Sequence, residues 1–333
     1  IQSITHNQQQ TIGATLTPVA ADLTNARLIP GVVGLLASGH FVAPDYMVHP
    51  GEYIPTVASR TGIPAQQGIN TLHFSLSLPS GPMPAEGWPV ILWAMGSGGS
   101  RMSTFLELVS IQAYYGFALI WIDNVGHAFG PLSTWIVTMT DGSTVTFPAP
   151  GRGIDQNGDG IYAVTEGNAA SAPHKLRFVS DAAIQMSSDL LSVIRMIQGG
   201  VDVEGDGIID LDASRIYLAG QSLGTLTGMP VAAYTDAIRA SEFIVPFSAS
   251  AEQVRLSLGN RPNQARRLGS RTPSLLNSAY GLTSLGGVTL ASPFFNENIP
   301  LRDQAPLVDT IPGAHDIRGY YDRLRWQMQC AEP

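Results

Sequence analysis

The sequence predicts an α/β fold, a mostly parallel β-sheet with helices on both faces. Residues 89–94 and 116–122 are short, solid apolar runs without alternation, the pattern of strands buried on both faces. Over 179–197 the apolar residues Val179, Ala183, Met186, Leu190, Val193, Ile194 and Ile197 recur at a helical period that stops at Gly199-Gly200. A further buried strand at 215–220 is followed at once by a small-residue helix expected over 222–240. Helix, strand, sharp turn and helix in that order belong to a layered α/β domain.

Composition bounds the rest. At 333 residues and 44% hydrophobic content the chain has ample material for a buried core. Its net charge is -8, and Lys175 is its one lysine, so no basic patch emerges and nucleic acid is excluded as a partner. The longest apolar runs are about half of the roughly 18–20 residues a spanning helix needs, so no transmembrane segment is expected. The lone cysteine, Cys330, has no partner for an internal disulfide and reads as an inert thiol. The chain opens on Ile1 without a charged-then-apolar leader, which is the expectation for a processed or engineered start.

Residues 1–80 are rich in Gln, Thr, Pro and Gly and read as a β-rich N-terminal extension, with the alternation at 72–78 as an edge strand. After the breaker run at 79–84 the main domain is expected over 81–333. Within it, the loop-rich stretch at about 246–312 reads as a cap inserted over the active site, with ordinary connecting structure as the alternative. A last helix carrying Tyr320, Tyr321, Leu324 and Trp326 follows at 314–329.

Gly220-Gln221-Ser222-Leu223-Gly224 matches G-x-S-x-G. In an α/β-hydrolase the two glycines let a strand turn abruptly into a helix and lift the serine Oγ above the sheet edge. Alone the motif is weak, because 35 glycines make chance matches common; its position between a strand and a helix is what makes Ser222 the candidate nucleophile. The alternative is a plain tight turn. The loop Gly96-Ser97-Gly98-Gly99-Ser100-Arg101 lies after an early strand, where such a fold needs a backbone N–H aimed at the oxyanion, so Ser97 and Leu223 are the candidate donors. The loop lacks the terminal Gly-Lys-Ser/Thr of a phosphate cradle. His127, in the turn Asp123-Asn124-Val125-Gly126-His127, precedes the serine and reads as structural.

Two acidic loops carry metal-ligand spacing. Residues 155–166 satisfy D-x-[DN]-x-[DN]-G-x5-E, with Asp155, Asn157, Asp159, the Ile161 carbonyl and Glu166 as calcium ligands and Gly160 at the turn. Asp202, Glu204, Asp206, the Ile208 carbonyl and Asp210 repeat the alternation, but Ala213 stands where the closing carboxylate belongs. One or two structural calcium ions are therefore expected, bracing the fold rather than sensing calcium. A solvated Asx-rich turn is the alternative in each case.

These motifs together resemble the bacterial extracellular lipase/esterase family related to virulence-factor lipases. The resemblance runs through Gly87-Trp88-Pro89-Val90, the Gly96–Arg101 loop, Gly151-Arg152-Gly153-Ile154 with the first acidic loop, 210–217 with the elbow, Arg271-Thr272-Pro273-Ser274 and Pro300-Leu301-Arg302-Asp303. It implies an α/β-hydrolase that is secreted or held in the cell envelope and cleaves carboxylic esters, of small molecules, lipids or polymers, through an acyl-serine. The family has Gly-His-Gly ahead of the oxyanion loop where this chain has Ala94-Met95-Gly96. It also places its acid and histidine on two further strands. Here only His315 follows Ser222, opening a helix with no strand before it, with Asp303 and Asp309 as the acids within reach in sequence. The expectation is that the base and its acid lie on a C-terminal companion segment or chain, with the His315 triad as the second choice. A calcium-stabilised binding or scaffold protein that kept the fold without catalysis is the reading from a different class.

Overall fold

The computed structural model describes residues 1–13, 16–55, 62–163, 166–177, 179–246, 250–257, 260–277, 284–285, 288–289, 295, 297, 312–329 and 331. Cys330, Asp303 and Asp309 lie outside them. The chain divides into two compact units, Ile1–Lys175 with Val179–Phe247, and Leu176–Phe178 with Ser248–Glu332.

In the first unit the chain forms β1 (Ser3–Gln9), β2 (Leu16–Ala20), β3 (Val33–Asp45), β4 (Gly68–Pro79), β5 (Trp88–Ala94), α1 (Arg101–Tyr114), β6 (Ala118–Ile122), β7 (Thr134–Thr138), β8 (Thr144–Pro148), α2 (Ser180–Gln198), β9 (Leu211–Gln221), α3 (Leu223–Tyr234) and β10 (Ile238–Ile244). The main sheet has the order β10-β9-β5-β6-β4-β3, and a second, four-stranded sheet has the order β2-β1-β7-β8. β10, β9, β5 and β6 pair in parallel, while β4 and β3 join antiparallel. This mostly parallel sheet, with its serine on the strand-to-helix turn, has the α/β-hydrolase arrangement.

The solid apolar runs are explained by the pleat, which sends successive side chains to opposite faces. Val90 and Leu92 of β5 and Ile120 of β6 join Leu190, Val193, Ile194 and Ile197 of α2 in one core. Trp93 of β5 and Leu119 and Trp121 of β6 join Val109 of α1 in the other. A strand that feeds a core on each side needs no polar position, and the helices cover both faces.

Three expectations require correction. The sheet begins well before residue 81: β3 and β4 are two of its six strands, so residues 33–45 and 68–79 belong to it and not to a separate extension. The alternating stretch at 72–78 is an interior strand, bonded by β3 on one side and β6 on the other. Its Leu72, Leu76 and Leu78 enter the α2 core, while Ser75 and Ser77 on the opposite face are 0% and 1% exposed. Alternation signalled two different faces, but the polar one is buried by tertiary packing. Finally, the helix after Ser222 stops at Tyr234 instead of running to residue 240. Thr235 is extended at φ -123° and ψ 137°, and its Oγ1 accepts the Ala237 N–H at 3.2 Å, so the chain turns there into β10.

The second unit holds α4 (Ser250–Leu256), α5 (Arg261–Gly269) and α6 (Ala314–Met328). It extends past the expected cap boundary at 312, because α6 packs with α4. Ile317, Tyr320, Tyr321, Leu324 and Met328 make its buried stripe, at helical spacing. Arg255 donates to Glu297 at 2.5 Å and lies over the Tyr321 ring at 5.4 Å, joining α4 to α6. Trp326, on the other face, is exposed.

Candidate active site

The elbow is built by close backbone approaches that only glycine permits. A Cβ on Gly224 would lie 1.9 Å from the Ala94 carbonyl oxygen, and one on Gly220 would lie 2.6 Å from the Gly224 oxygen. With both positions bare, α3 starts directly beneath the end of β5 and Ser222 is forced to φ 51° and ψ -115°. A non-glycine residue there costs on the order of 1–3 kcal/mol, and such strain persists where the surroundings over-determine it. The surroundings here are specific: the Ser222 N–H donates to the Ile244 oxygen at 3.1 Å, and Thr225 donates to the Ser222 oxygen through N–H and Oγ1 at 2.9 and 2.7 Å.

The candidate oxyanion loop closes on the same point. Gly96 lies against the elbow, since a Cβ there would stand 3.3 Å from the Gln221 oxygen and 3.6 Å from the Ser222 Cβ. Ser97 follows and is exposed, whereas Leu223 is buried as the first residue of α3. Among the described residues neither N–H has a protein acceptor. The Leu223 amide is one of the unsatisfied donors of a helix N-terminus, where developing negative charge is favoured.

Residues not singled out from the sequence hold this loop. Asn124 Nδ2 donates to the Met95 oxygen at 2.9 Å and to the Gly96 oxygen at 3.5 Å. It thereby supports the Ala94-Met95-Gly96 run. Asp123 accepts the Arg101 N–H at 2.7 Å and its Nε–H at 2.9 Å, so both ends of the loop are tied to the end of β6. Arg152 donates to the Asp123 oxygen at 3.1 Å and to Asp189 of α2 at 2.7 Å, joining the Gly151-Arg152-Gly153 turn to this support. The available signal was the run Asp123-Asn124 at the end of a buried strand, read there as part of a turn.

His127 sits in that turn as a structural residue. It is 0% exposed, its Nδ1 lies 2.8 Å from the Val125 oxygen, and burial lowers its pKa. Within the first unit no described histidine or carboxylate hydrogen-bonds to Ser222 Oγ. His315 is the second residue of α6 in the other unit and is exposed.

The two acidic loops fold alike. Asp155 accepts the N–H groups of Gly158, Asp159 and Gly160 at 2.8, 3.1 and 2.9 Å, and Asp202 accepts those of Gly205, Asp206 and Gly207 at 2.7, 3.2 and 2.8 Å. They differ at the closing residue. Asp155, Asp159 and Glu166 bring ligand atoms within 4.8 Å of one another, and Glu166 Oε2 is buried without a hydrogen-bond partner. That oxygen and donor set fits a hard cation. In the second loop Asp210 turns its Oδ2 to the Val203 N–H at 2.7 Å, and among the described residues the loop gathers no such set. Lacking a carboxylate at Ala213, it closes on itself.

No family model and no curated protein matches the chain. Among solved structures it is similar to a cold-adapted esterase from an Arctic intertidal metagenomic library, at 14% identity and a TM-score of 0.35 over 68% of each chain. It is also similar to an acetyl xylan esterase from Paenibacillus sp. R4, at 18% identity and a TM-score of 0.36, covering 59% of this chain and 53% of that one. A third is the acylaminoacyl peptidase of Pyrococcus horikoshii, at 12% identity and a TM-score of 0.39, covering 77% of this chain and 31% of that one. The chain thus spans about half of the second and less of the third, and likeness at this level leaves the site to be read from its own geometry.

Proposed function

We propose that the chain is a carboxylic ester hydrolase in which Ser222 forms the acyl-enzyme. The observation that carries this is the strained Ser222 at φ 51°, held between Gly220, Gly224 and Gly96 at the start of α3. In this reading Ser222 Oγ attacks the ester carbonyl, and the carbonyl oxygen takes up negative charge between the N–H groups of Ser97 and Leu223. Collapse of the tetrahedral adduct expels the alcohol, and water then releases the acid. A base must take the Oγ proton and return it to the leaving group. We assign that base to a companion segment that adds to the main sheet along β10, whose outer edge is unpaired among the described residues and whose residues are mostly exposed.

Calcium at Asp155, Asp159 and Glu166, with Asn157 and the Ile161 carbonyl completing the shell, would brace the loop after the Arg152 turn. Weak sites of this type suit the millimolar calcium outside cells, which supports a secreted or cell-envelope location. A fluorophosphonate probe tests the assignment on the complete protein. Covalent labelling that disappears in Ser222→Ala is expected, and folded protein that takes up no label would sink it. The absence of a histidine on Ser222 Oγ within the first unit favours the second reading, a calcium-stabilised scaffold, and the same unlabelled result would support it.

A further inference from the structure

A cavity of the first unit lies away from Ser222. It encloses about 510 Å³ and is walled by Ile4, Leu23, Ala26, Val33, Leu36 and Val109. A second cavity of about 340 Å³ shares Ile4, Gly34, Leu35 and Leu36 with it and continues along Val137 and Phe147. Both lie beside β3, four strands across the sheet from β9, which puts them on the order of 19 Å from the nucleophile elbow. Each volume is in the range of small-molecule sites, which are mostly apolar with few polar groups.

The local structure explains why the space is there. A register shift between Val33 and Leu35 bulges β3 at Gly34, where a Cβ would stand 2.6 Å from the Pro79 oxygen. Bulges re-aim the side chains beside them, and Gly34 lines both cavities. One wall is the short 3-10 turn Asn25–Arg27, which packs on α1 and is pinned nearby by the Ile29 N–H donating to Ser110 Oγ at 3.3 Å. The opposite wall is the four-stranded sheet. Its edge strand β8 is exposed along its whole length, yet Val145 and Phe147 of that strand line the cavity. The two cavities thus adjoin along Ile4, Gly34, Leu35 and Leu36, and we take them together as one apolar channel toward the partly exposed rim at β8.

Charge selects the occupant. Among the described residues that line either cavity, Arg27 carries the one charged side chain. Its Nη2 donates to the Ile1 and Gln2 oxygens at 2.9 and 2.7 Å, which fixes the guanidinium at the mouth. Among the described residues its Nε and Nη1 have no acceptor. An uncommitted guanidinium edge matches a carboxylate, and the channel behind it takes alkyl chain. We propose that this channel binds a single-chain amphiphile with a carboxylate head, a long-chain fatty acid, at a site separate from Ser222 and independent of the esterase reading.

The experiment titrates the folded chain with cis-parinaric acid, a fluorescent straight-chain carboxylic acid, and with the corresponding uncharged primary alcohol. Saturable binding of both is expected. Arg27→Ala should weaken the acid by about three- to tenfold, the range for a charged hydrogen bond at a partly exposed site, and leave the alcohol unchanged. Ala26→Trp fills the cavity and should abolish binding of both, with an unchanged far-UV spectrum showing that the variant folds. No saturable binding to the wild type overturns the proposal, as does binding that survives Ala26→Trp. Equal effects of Arg27→Ala on acid and alcohol overturn the carboxylate assignment. Sedimentation on the same samples identifies the competing occupant: a dimer that excludes the probe makes the rim an interface between copies and also overturns the proposal.

Discussion

Asp123 grips Arg101 twice, accepting its backbone N–H at 2.7 Å and its Nε–H at 2.9 Å, with the two side chains 5% and 2% exposed. The pair closes the loop that runs from Met95 past Ser97, so the stability of the fold and the shape of the proposed oxyanion site share one contact. Asp123→Ala would leave a buried guanidinium without its counter-charge and should cost about 3–5 kcal/mol. Asp123→Asn keeps an acceptor for the N–H and should cost less. Urea unfolding of the three proteins measures the order, and an alanine variant as stable as wild type would contradict it.

Strain at Ser222 makes the opposite prediction for the nucleophile itself. Glycine reaches positive φ without steric penalty. Ser222→Gly should therefore raise unfolding stability by about 1 kcal/mol while removing all fluorophosphonate labelling. Stability equal to or below wild type would mean that the conformation at φ 51° stores no energy.

The motif glycines should differ sharply from a loop glycine. Gly224→Ala drives a methyl onto the Ala94 oxygen and should cost more than about 4 kcal/mol or prevent folding. Gly98→Ala meets nothing within 4 Å and pays only for φ 81°, so a loss of about 1 kcal/mol is expected. Comparable losses in the two variants would show that the close approach does not shape the elbow.

Calcium should act through the first acidic loop. Excess calcium is expected to raise the melting temperature, with about 2.7 kcal/mol gained at a hundredfold excess over Kd, and EDTA should reverse it. Asp159→Asn and Glu166→Gln should abolish the response. Asp206→Asn should leave it intact, because Asp210 closes its own loop. A response lost in Asp206→Asn but kept in Glu166→Gln would move the ion to the second loop.

Stability should fall on both sides of neutrality. The His49 ring donates from Nε2 to Asp45 at 3.1 Å and from Nδ1 to Glu52 at 2.6 Å, and these two hydrogen bonds raise its pKa to about 10. A raised pKa stabilises the folded imidazolium. That contribution is complete below the unfolded value of roughly 6.5 and fades as pH climbs toward about 10. Burial lowers His6 to about 4, so its neutral ring favours folding above roughly 6.5, and the gain is lost as pH falls toward about 4. Denaturation curves across pH should lose their alkaline decline in His49→Gln, and persistence of that decline would assign it elsewhere.

The elbow was legible because its motif is local: Gly220, Ser222 and Gly224 mark the turn in the sequence, although the contacts that require it, the Ala94 oxygen against Gly224 and the Ile244 oxygen on the Ser222 N–H, come from distant strands. The Asp155–Glu166 spacing likewise brings its carboxylates together within one loop. The boundary at residue 80 misled because alternation reports two unlike faces and is silent on what covers each. Burial of Ser75 and Ser77 was settled by α1 and by strands on either side. The support of the oxyanion loop was equally hidden, since Asn124 reaches the Met95 oxygen across 29 positions of chain. So the sequence by itself determined the tight turn at Ser222, the runs that become buried strands and the carboxylate spacing of the first acidic loop. Only the tertiary structure decided that β3 and β4 complete the sheet, that Asp123 and Asn124 hold the oxyanion loop and that a bulge at Gly34 opens a cavity. The physical reason is that turn and strand preferences act between neighbours along the chain, whereas burial and hydrogen-bond partnership are fixed by residues that meet only once it has folded.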